Sequence, residues 1–411
     1  MARVVLAMSG GVDSSAAAHL LLEAGHDVTG VFMRHGEESA QACAIDAGPA
    51  ALPVIQERPG HKQGCCSATD AEDARRVAHR LGIPFYPLDL QAEFRQIVDY
   101  FVDEYSAGRT PNPCVMCNNW LKFGRLFDFA DSIGAEYVAT GHYARLEAAA
   151  PDANAGSNGD SNAGSTGDSN AGSNGDSNAG SDANSDASSN ADGAPALLRG
   201  VDLSKDQSYV LFGIERRLLR RMLLPVGGYE KSEIRALAAH IGLRVADKKD
   251  SQEICFVTSG KHDEFVRARR DHDLSGEIVL TDGRVVGTHP GIERFTIGQR
   301  RGVGVAMGEP HFVVRIEPDT RRVVIGRHEE LARSELTADR ANWLVDPPRS
   351  PQRGLAKIRY NAAPVPATFA ALPGDRIHVR FEEPRHGVAP GQAVVLYDNE
   401  RVLGGGWIEG P

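Results

Sequence analysis

"RVVLAMSGGVDSSAAAHLLLEAGHDVTGVFM", residues 3–33, decides the fold. The run "RVVLAM" (3–8) is a short apolar stretch that ends in two glycines. "SSAAAHLLLEAG" (14–25) has helical spacing and a glycine stop, and "DVTGVFM" (27–33) is a second apolar run. Strand, helix, strand is a βαβ unit, and such units build parallel sheets whose ligand sites lie beyond the carboxyl ends of the strands. The alternation continues with a helix at 71–82, the strand "PFYPLDL" (84–90), helices around 94–105 and 120–133, and the strand "AEYVATGH" (135–142). These segments predict an α/β, doubly wound parallel-sheet domain.

Further from this unit the texture changes. After about residue 310, runs such as "HFVVRIEPDTRRVVIG", "DRIHVRFEEP" and "QAVVLYDNERVLGGGWIE" alternate with Pro, Gly and Asp turns, which reads as an all-β barrel or sandwich. Between the two lies "KSEIRALAAHIG" and a set of glycine-rich connections, read as a small central α/β linker domain. The expected division is 1–223, 224–306 and 307–411. At 411 residues and 41% hydrophobic positions the chain has material for two or three cores.

Residues 150–196 interrupt the first domain with a near-repeat built mainly from Gly, Ser, Asn, Asp and Ala. Such a composition has nothing to bury, so a solvated, disordered insert is expected. It also distorts the charge. The formal net charge of −10 becomes −3 once the insert's seven aspartates are set aside, so acidity does not exclude a nucleic-acid partner. No apolar run approaches the roughly 20 residues that span a bilayer, and the start "MARVVLAMSGG" turns glycine-rich too early for a secretory signal. A cytoplasmic protein without a membrane partner is the expectation. Six cysteines in this length are too few for a disulfide framework, which favours metal or catalytic use.

The first strand leads into "SGGVDSS" (9–15). Two glycines let the backbone curl so that successive N–H groups face an anion, and the helix that follows adds the positive end of its dipole. On the glycines alone, an ordinary capped strand-to-helix turn explains the string equally well. Complete, it resembles the PP-loop of ATP pyrophosphatases, which split ATP to AMP and pyrophosphate. That resemblance implies that Ala7, Met8, Ser9, Gly10, Gly11, Val12, Asp13 and Ser14 hold ATP, with Asp13 on Mg²⁺, Met33 at the adenine and Gly141 touching the nucleotide.

"TPNPCVMCN" (110–118), "ATGHYAR" (139–145), "KDQSYVL" (205–211), "DSQEICF" (250–256) and "GQRRGVG" (298–304) follow in this order. Together with the loop they resemble the bacterial tRNA-specific 2-thiouridylases, over nearly the whole chain apart from the insert and the stretch 36–64. The resemblance implies ATP-dependent 2-thiolation of a tRNA wobble uridine. A uracil carbonyl oxygen leaves poorly, so it is first adenylated; a sulfur nucleophile then adds at C2 and AMP departs. One cysteine must carry sulfur as a persulfide and a second must release it. By the family pattern Cys117, directly before asparagine, is the nucleophile, and Cys255 is the persulfide carrier; a disulfide bond belongs to the same expectation.

Cys114 departs from the pattern, since many relatives carry aspartate there for acid–base work beside the target base. A thiol moves protons from an ordinary pKa of about 8.5 against about 3.9 for Asp. Alternatively Cys114, Cys117 and Cys255 hold a [4Fe–4S] cluster with one open iron. Structural zinc wants four ligands, and the adjacent Cys65 and Cys66 are poorly spaced for it.

For RNA, the resemblance implies that Asn112, Pro113 and Cys114 line the target base and that His142 guards the pocket. Lys205, Asp206, Gln207, Arg359, Tyr360 and Gln392 would contact tRNA. Singly, each such polar residue is ordinary surface; the order of the motifs lifts them. A sulfur-donor protein, a cysteine desulfurase or a sulfur carrier, is a further expected partner. Two other readings remain: an amidating ligase of the GMP synthetase type, which shares the loop but has no use for Cys117 and Cys255, and a non-catalytic RNA-binding iron–sulfur protein, which leaves the loop unexplained.

Overall fold

The computed structural model describes residues 1–34, 68–148, 193–248, 254–257, 261–270 and 272–410. Residues 150–192 of the insert, the stretch 36–64, and Cys43, Cys65 and Cys66 lie outside these residues; the insert's expected end at 196 is too late, because Ala194 is fully buried and Ala196 opens a strand.

The opening unit forms as its periodicity predicts: β1 (Arg3–Ala7), α1 (Val12–Glu23) and β2 (Asp27–Arg34). Then come α2 (Ala68–Leu81), β3 (Phe85–Asp89), α3 (Gln91–Ser106), α4 (Pro113–Met116), a π-helical stretch Cys117–Arg125, α5 (Leu126–Ser132) and β4 (Tyr137–Ala139). Past β5 (Ala144–Glu147) and β6 (Ala196–Arg199), β7 (Met222–Leu223) completes a five-stranded sheet of order β3-β2-β1-β4-β7, parallel throughout. Strand order reverses between β1 and β4, the switch point where open parallel sheets bind ligands.

Two cores flank this sheet. One packs Val4, Leu6 and Met8 with Ala16 and Leu21 of α1 and with Ile234, Ala238 and Leu243. The last three come from α6 (Lys231–His240) and the turn after it, so the first unit continues past the expected break at 223/224. After α7 (His262–Arg267), β8 (Gly276–Leu280), β9 (Val285–His289), β10 (Phe312–Glu317) and β11 (Arg322–Gly326) form a separate four-stranded sheet. Its core includes Ile278, Val313, Val323 and Leu331, so this unit also outlasts the expected break at 306/307.

The remaining strands are β12 (Ala332–Trp343), β13 (Gln352–Lys357), β14 (Val365–Leu372), β15 (Arg376–His386), β16 (Ala393–Asp398) and β17 (Arg401–Ile408). They pair antiparallel in the order β12-β15-β14-β13-β16-β17, and β12 also pairs β17, which closes the barrel and removes its edges. Arg401 of β17 additionally pairs Leu198 of β6, so the β5–β6 hairpin of the first unit extends this sheet. The low-complexity insert is spliced between the paired arms of that hairpin, where Glu147 faces Ala196.

Candidate active site

The loop after β1 sits at the switch point. Gly10 takes φ +70°, and a Cβ there would meet the Asp70 carbonyl oxygen at 2.2 Å, so only glycine fits. Ser14 Oγ accepts from the Ser9 backbone N–H (3.1 Å) and donates to the Gly11 carbonyl (3.2 Å), which fixes the curl. Gly11 caps α1 without a side-chain bond, leaving first-turn N–H groups for an anion. Across the crevice a Cβ on Gly141 would lie 2.8 Å from the Ser14 nitrogen, so the β4 loop rests on the start of α1. Met8 and Val12 are buried beneath the loop, Ala7 ends β1, and Met33 is half-buried at the end of β2.

Two lysines absent from the sequence reading converge here. Lys248 Nζ donates to the Gly10 carbonyl (3.0 Å), to Asp70 (2.6 Å) and to Asp73 (2.8 Å), bracing the loop from behind. Burial opposes its charge, but the two carboxylates outweigh that and raise its pKa. Lys231 Nζ reaches both oxygens of Asp13, at 2.7 and 2.8 Å, and the Tyr143 hydroxyl donates to the same carboxylate at 2.7 Å. Tyr143 stands within the "GHY" string; nothing in the sequence tied Lys231 or Lys248 to the loop.

On the opposite side, Asn112 caps α4, its Oδ1 accepting from the Val115 N–H (3.4 Å). Gln392 donates to the carbonyls of both Thr110 and Pro111 at 3.0 Å, so the barrel holds the "TPNPC" segment in place. Cys114 is exposed, while Cys117, first residue of the π-helical stretch, is half-buried. Stretches of this kind concentrate at functional sites. Cys117 and Cys255, far apart in the chain, pack against one apolar cluster of Leu90, Phe94, Ile97 and Leu121, which Met33 also joins. Among the described residues, no three His, Cys, Asp or Glu side chains converge as a metal-binding group.

Several expected RNA contacts have other work. Asp206, 4% exposed, accepts from the Gly200 and Ser208 N–H groups and from Arg199 Nε, so it organises the hairpin and has no free face for RNA. Gln207 accepts the Tyr143 N–H at 3.0 Å and so holds the tyrosine that reaches Asp13. Arg359 donates to the Gly387 and Ile297 carbonyls, joining the last two units. His142 is buried between Thr140 Oγ1 (2.7 Å) and Lys122 Nζ (3.3 Å). Burial first, and then the Lys122 charge, hold its pKa well below the usual imidazole value. The neutral ring therefore donates through Nδ1 to Thr140 and accepts from Lys122 through Nε2. Asn112 and Pro113 are buried, Lys205 is half-buried, and Tyr360 stays 41% exposed. Burial, and then the charges of Asp206 and Cys114, push the Tyr360 phenol up.

A parallel sheet carrying a Ser-Gly-Gly loop at its switch point is the architecture of a PP-loop enzyme, and here two cysteines share one apolar cluster. The tRNA methyl transferase HUP domain family model matches residues 2–259, the tRNA methyl transferase PRC-barrel domain matches 263–327, and the aminomethyltransferase beta-barrel domain matches 333–408. The tRNA-specific 2-thiouridylase MnmA of Rhodopirellula baltica is 56% identical, over 99% of this chain and 96% of its own. Those of Geotalea uraniireducens and Carboxydothermus hydrogenoformans are 42% and 41% identical, each over 99% of this chain and 95% and 97% of theirs. The chain belongs to the tRNA-specific 2-thiouridylase family.

Proposed function

We propose that this protein uses ATP to replace the C2 oxygen of a tRNA wobble uridine with sulfur, by adenylation followed by transfer from a Cys255 persulfide. The uracil O2 attacks the α-phosphorus of ATP; the bond to the β-phosphate oxygen breaks and pyrophosphate leaves. The terminal persulfide sulfur adds at C2, and AMP departs with the former carbonyl oxygen. The Cys117 thiolate then attacks Cys255 Sγ, which frees the thiolated base and leaves a Cys117–Cys255 disulfide for an external thiol to reduce. A sulfur-donor protein reloads Cys255.

Backbone donors at the loop and the α1 dipole suit the phosphates, and Asp13 is the carboxylate that would hold Mg²⁺, which would neutralise phosphate charge. The exposure of Cys114 and the half-open Tyr360 ring suit them to receive a turned-out base. The single observation that carries the reading is the packing of Cys117, Cys255 and Met33 on one cluster, which supports sulfur transfer close to a nucleotide held at Met33. It supports a relay over a cluster, because Cys114 is exposed while the other two cysteines line apolar side chains. No helix among the described residues is long and apolar enough to cross a membrane; cytoplasmic work on tRNA suits the reading.

The test is single-turnover thiolation by protein preloaded with sulfur. Cys117→Ala and Cys255→Ala should each lose thiolation by at least about 10³-fold while still releasing pyrophosphate in a tRNA-dependent way. Cys255→Ala should carry no extra sulfur by peptide mass. Multiple-turnover thiolation by either variant would overturn the relay.

A further inference from the structure

We propose that Gln392, where the family resemblance expects a tRNA contact, is a positioning residue for the helix that carries Cys114 and leads into Cys117. The barrel turn that bears it is then part of the frame of the reaction. The proposal rests on the relay reading above for the work of Cys117.

The segment that opens α4 holds itself weakly. Pro111 and Pro113 have no N–H to donate, and α4 is only four residues long. Its own bonds are stretched: the Asn112 Oδ1 accepts from the Val115 N–H at 3.4 Å, and the Asn112 carbonyl accepts from the Met116 N–H at 3.4 Å. The shorter bonds come from outside. The Thr110 N–H donates to the Pro390 carbonyl at 2.8 Å, and Gln392 Nε2 donates to the carbonyls of Thr110 and Pro111 at 3.0 Å each. The Asn112 N–H completes the set on the Tyr100 hydroxyl at 3.3 Å. The π-helical stretch starts at Cys117, directly after α4, so a shift at Thr110 and Pro111 passes to both cysteines.

The turn is built to reach the segment and to stay there. The Gly391 N–H donates to the Ile408 carbonyl at 2.9 Å and the Ile408 N–H donates to the Gln392 carbonyl at 2.8 Å, which ties the turn to β17 of the closed barrel. Gly391 takes φ +84°, and a Cβ there would meet the Thr110 carbonyl oxygen at 3.0 Å and Glu104 Oε2 at 2.9 Å, so glycine permits the close approach. A side-chain amide nitrogen has two hydrogens, and Gln392 gives both to Thr110 and Pro111. It keeps no donor for a phosphate.

Three measurements on the full-length protein test this. Gln392→Met keeps the length of the side chain and removes both donors. The Val115 and Met116 amides should then exchange with deuterium at least about tenfold faster, because the clamp on their helix is gone. Single-turnover thiolation at saturating tRNA should fall about 10²-fold, the cost of a small misplacement of reacting groups. The tRNA dissociation constant should stay within about twofold, with its salt dependence unchanged. Gln392→Lys, whose ammonium can donate to both carbonyls, should recover most of the rate and the slow exchange. Unchanged exchange at Val115 and Met116, or a loss of thiolation matched by a loss of tRNA affinity, would overturn the proposal. If Gln392→Met fails to fold, Gln392→Asn, one methylene shorter, serves for the same comparison. Thiolation by Cys117→Ala would instead sink the relay reading and leave the exchange result standing.

Discussion

The two sides of the crevice are solvated in opposite ways. On the phosphate side, Asp13, Lys231, Lys248, Asp70 and Asp73 form a charged lattice with every distance between 2.6 and 2.8 Å. On the sulfur side, Cys117 and Cys255 lie against Leu90, Phe94, Ile97 and Leu121. Pyrophosphate departure needs preorganised charge, whereas a persulfide and an adenylated base both need water kept away. Met33 belongs to the second environment and ends the strand beside the first, so the nucleotide bridges them in the reading above.

The largest expected effect breaks one side alone. If Asp13 serves the phosphates alone, Asp13→Ala should reduce tRNA-dependent pyrophosphate release by about 10²-fold or more and leave tRNA binding within about twofold. Persistence of release would place the ATP site elsewhere. A smaller effect sharpens the sulfur side. If exposed Cys114 only moves protons, Cys114→Asp should keep thiolation within about tenfold and shift its pH profile toward acid, since the ordinary carboxylate pKa lies about 4 to 5 units below that of a thiol. Loss of both activity and bound iron in that variant would revive the cluster.

The seam between the sides has its own signature. His142 has a lowered folded-state pKa, so the unfolded chain binds the extra proton and stability rises with pH. Its contribution is present above the unfolded value of about 6.5 and is lost as pH falls below it. Between pH 7.5 and 5.5 the wild type should lose about 1 kcal/mol more than His142→Gln in urea unfolding. Identical pH dependence would show that the ring is not held neutral. The smallest effect is expected from deleting residues 152–192, which should leave thiolation within about twofold. The cut must stop there, because Ala194 is fully buried. A tenfold fall in turnover would give the insert a role.

Much of this was legible along the chain. The strand and helix periods of residues 3–33 fall within a few residues of β1, α1 and β2, and the loop stands where the pattern puts it. Cys117 and Cys255, singled out from separate motifs of the sequence, meet on one apolar cluster in the fold.

By itself, then, the sequence determined the elements and the glycine loop of the first unit, since these depend on side-chain period and on short strings whose geometry is local. Tertiary structure alone decided that Lys231 and Lys248 return to a loop more than two hundred residues earlier, that Asp206 is sealed inside the hairpin, and that Gln392 of the barrel grips Thr110 and Pro111. It also moved both domain breaks later, because α6 finds its core on α1 and β11 pairs back onto β8. Such partnerships depend on which buried faces meet when the sheets pack, and no local period encodes them.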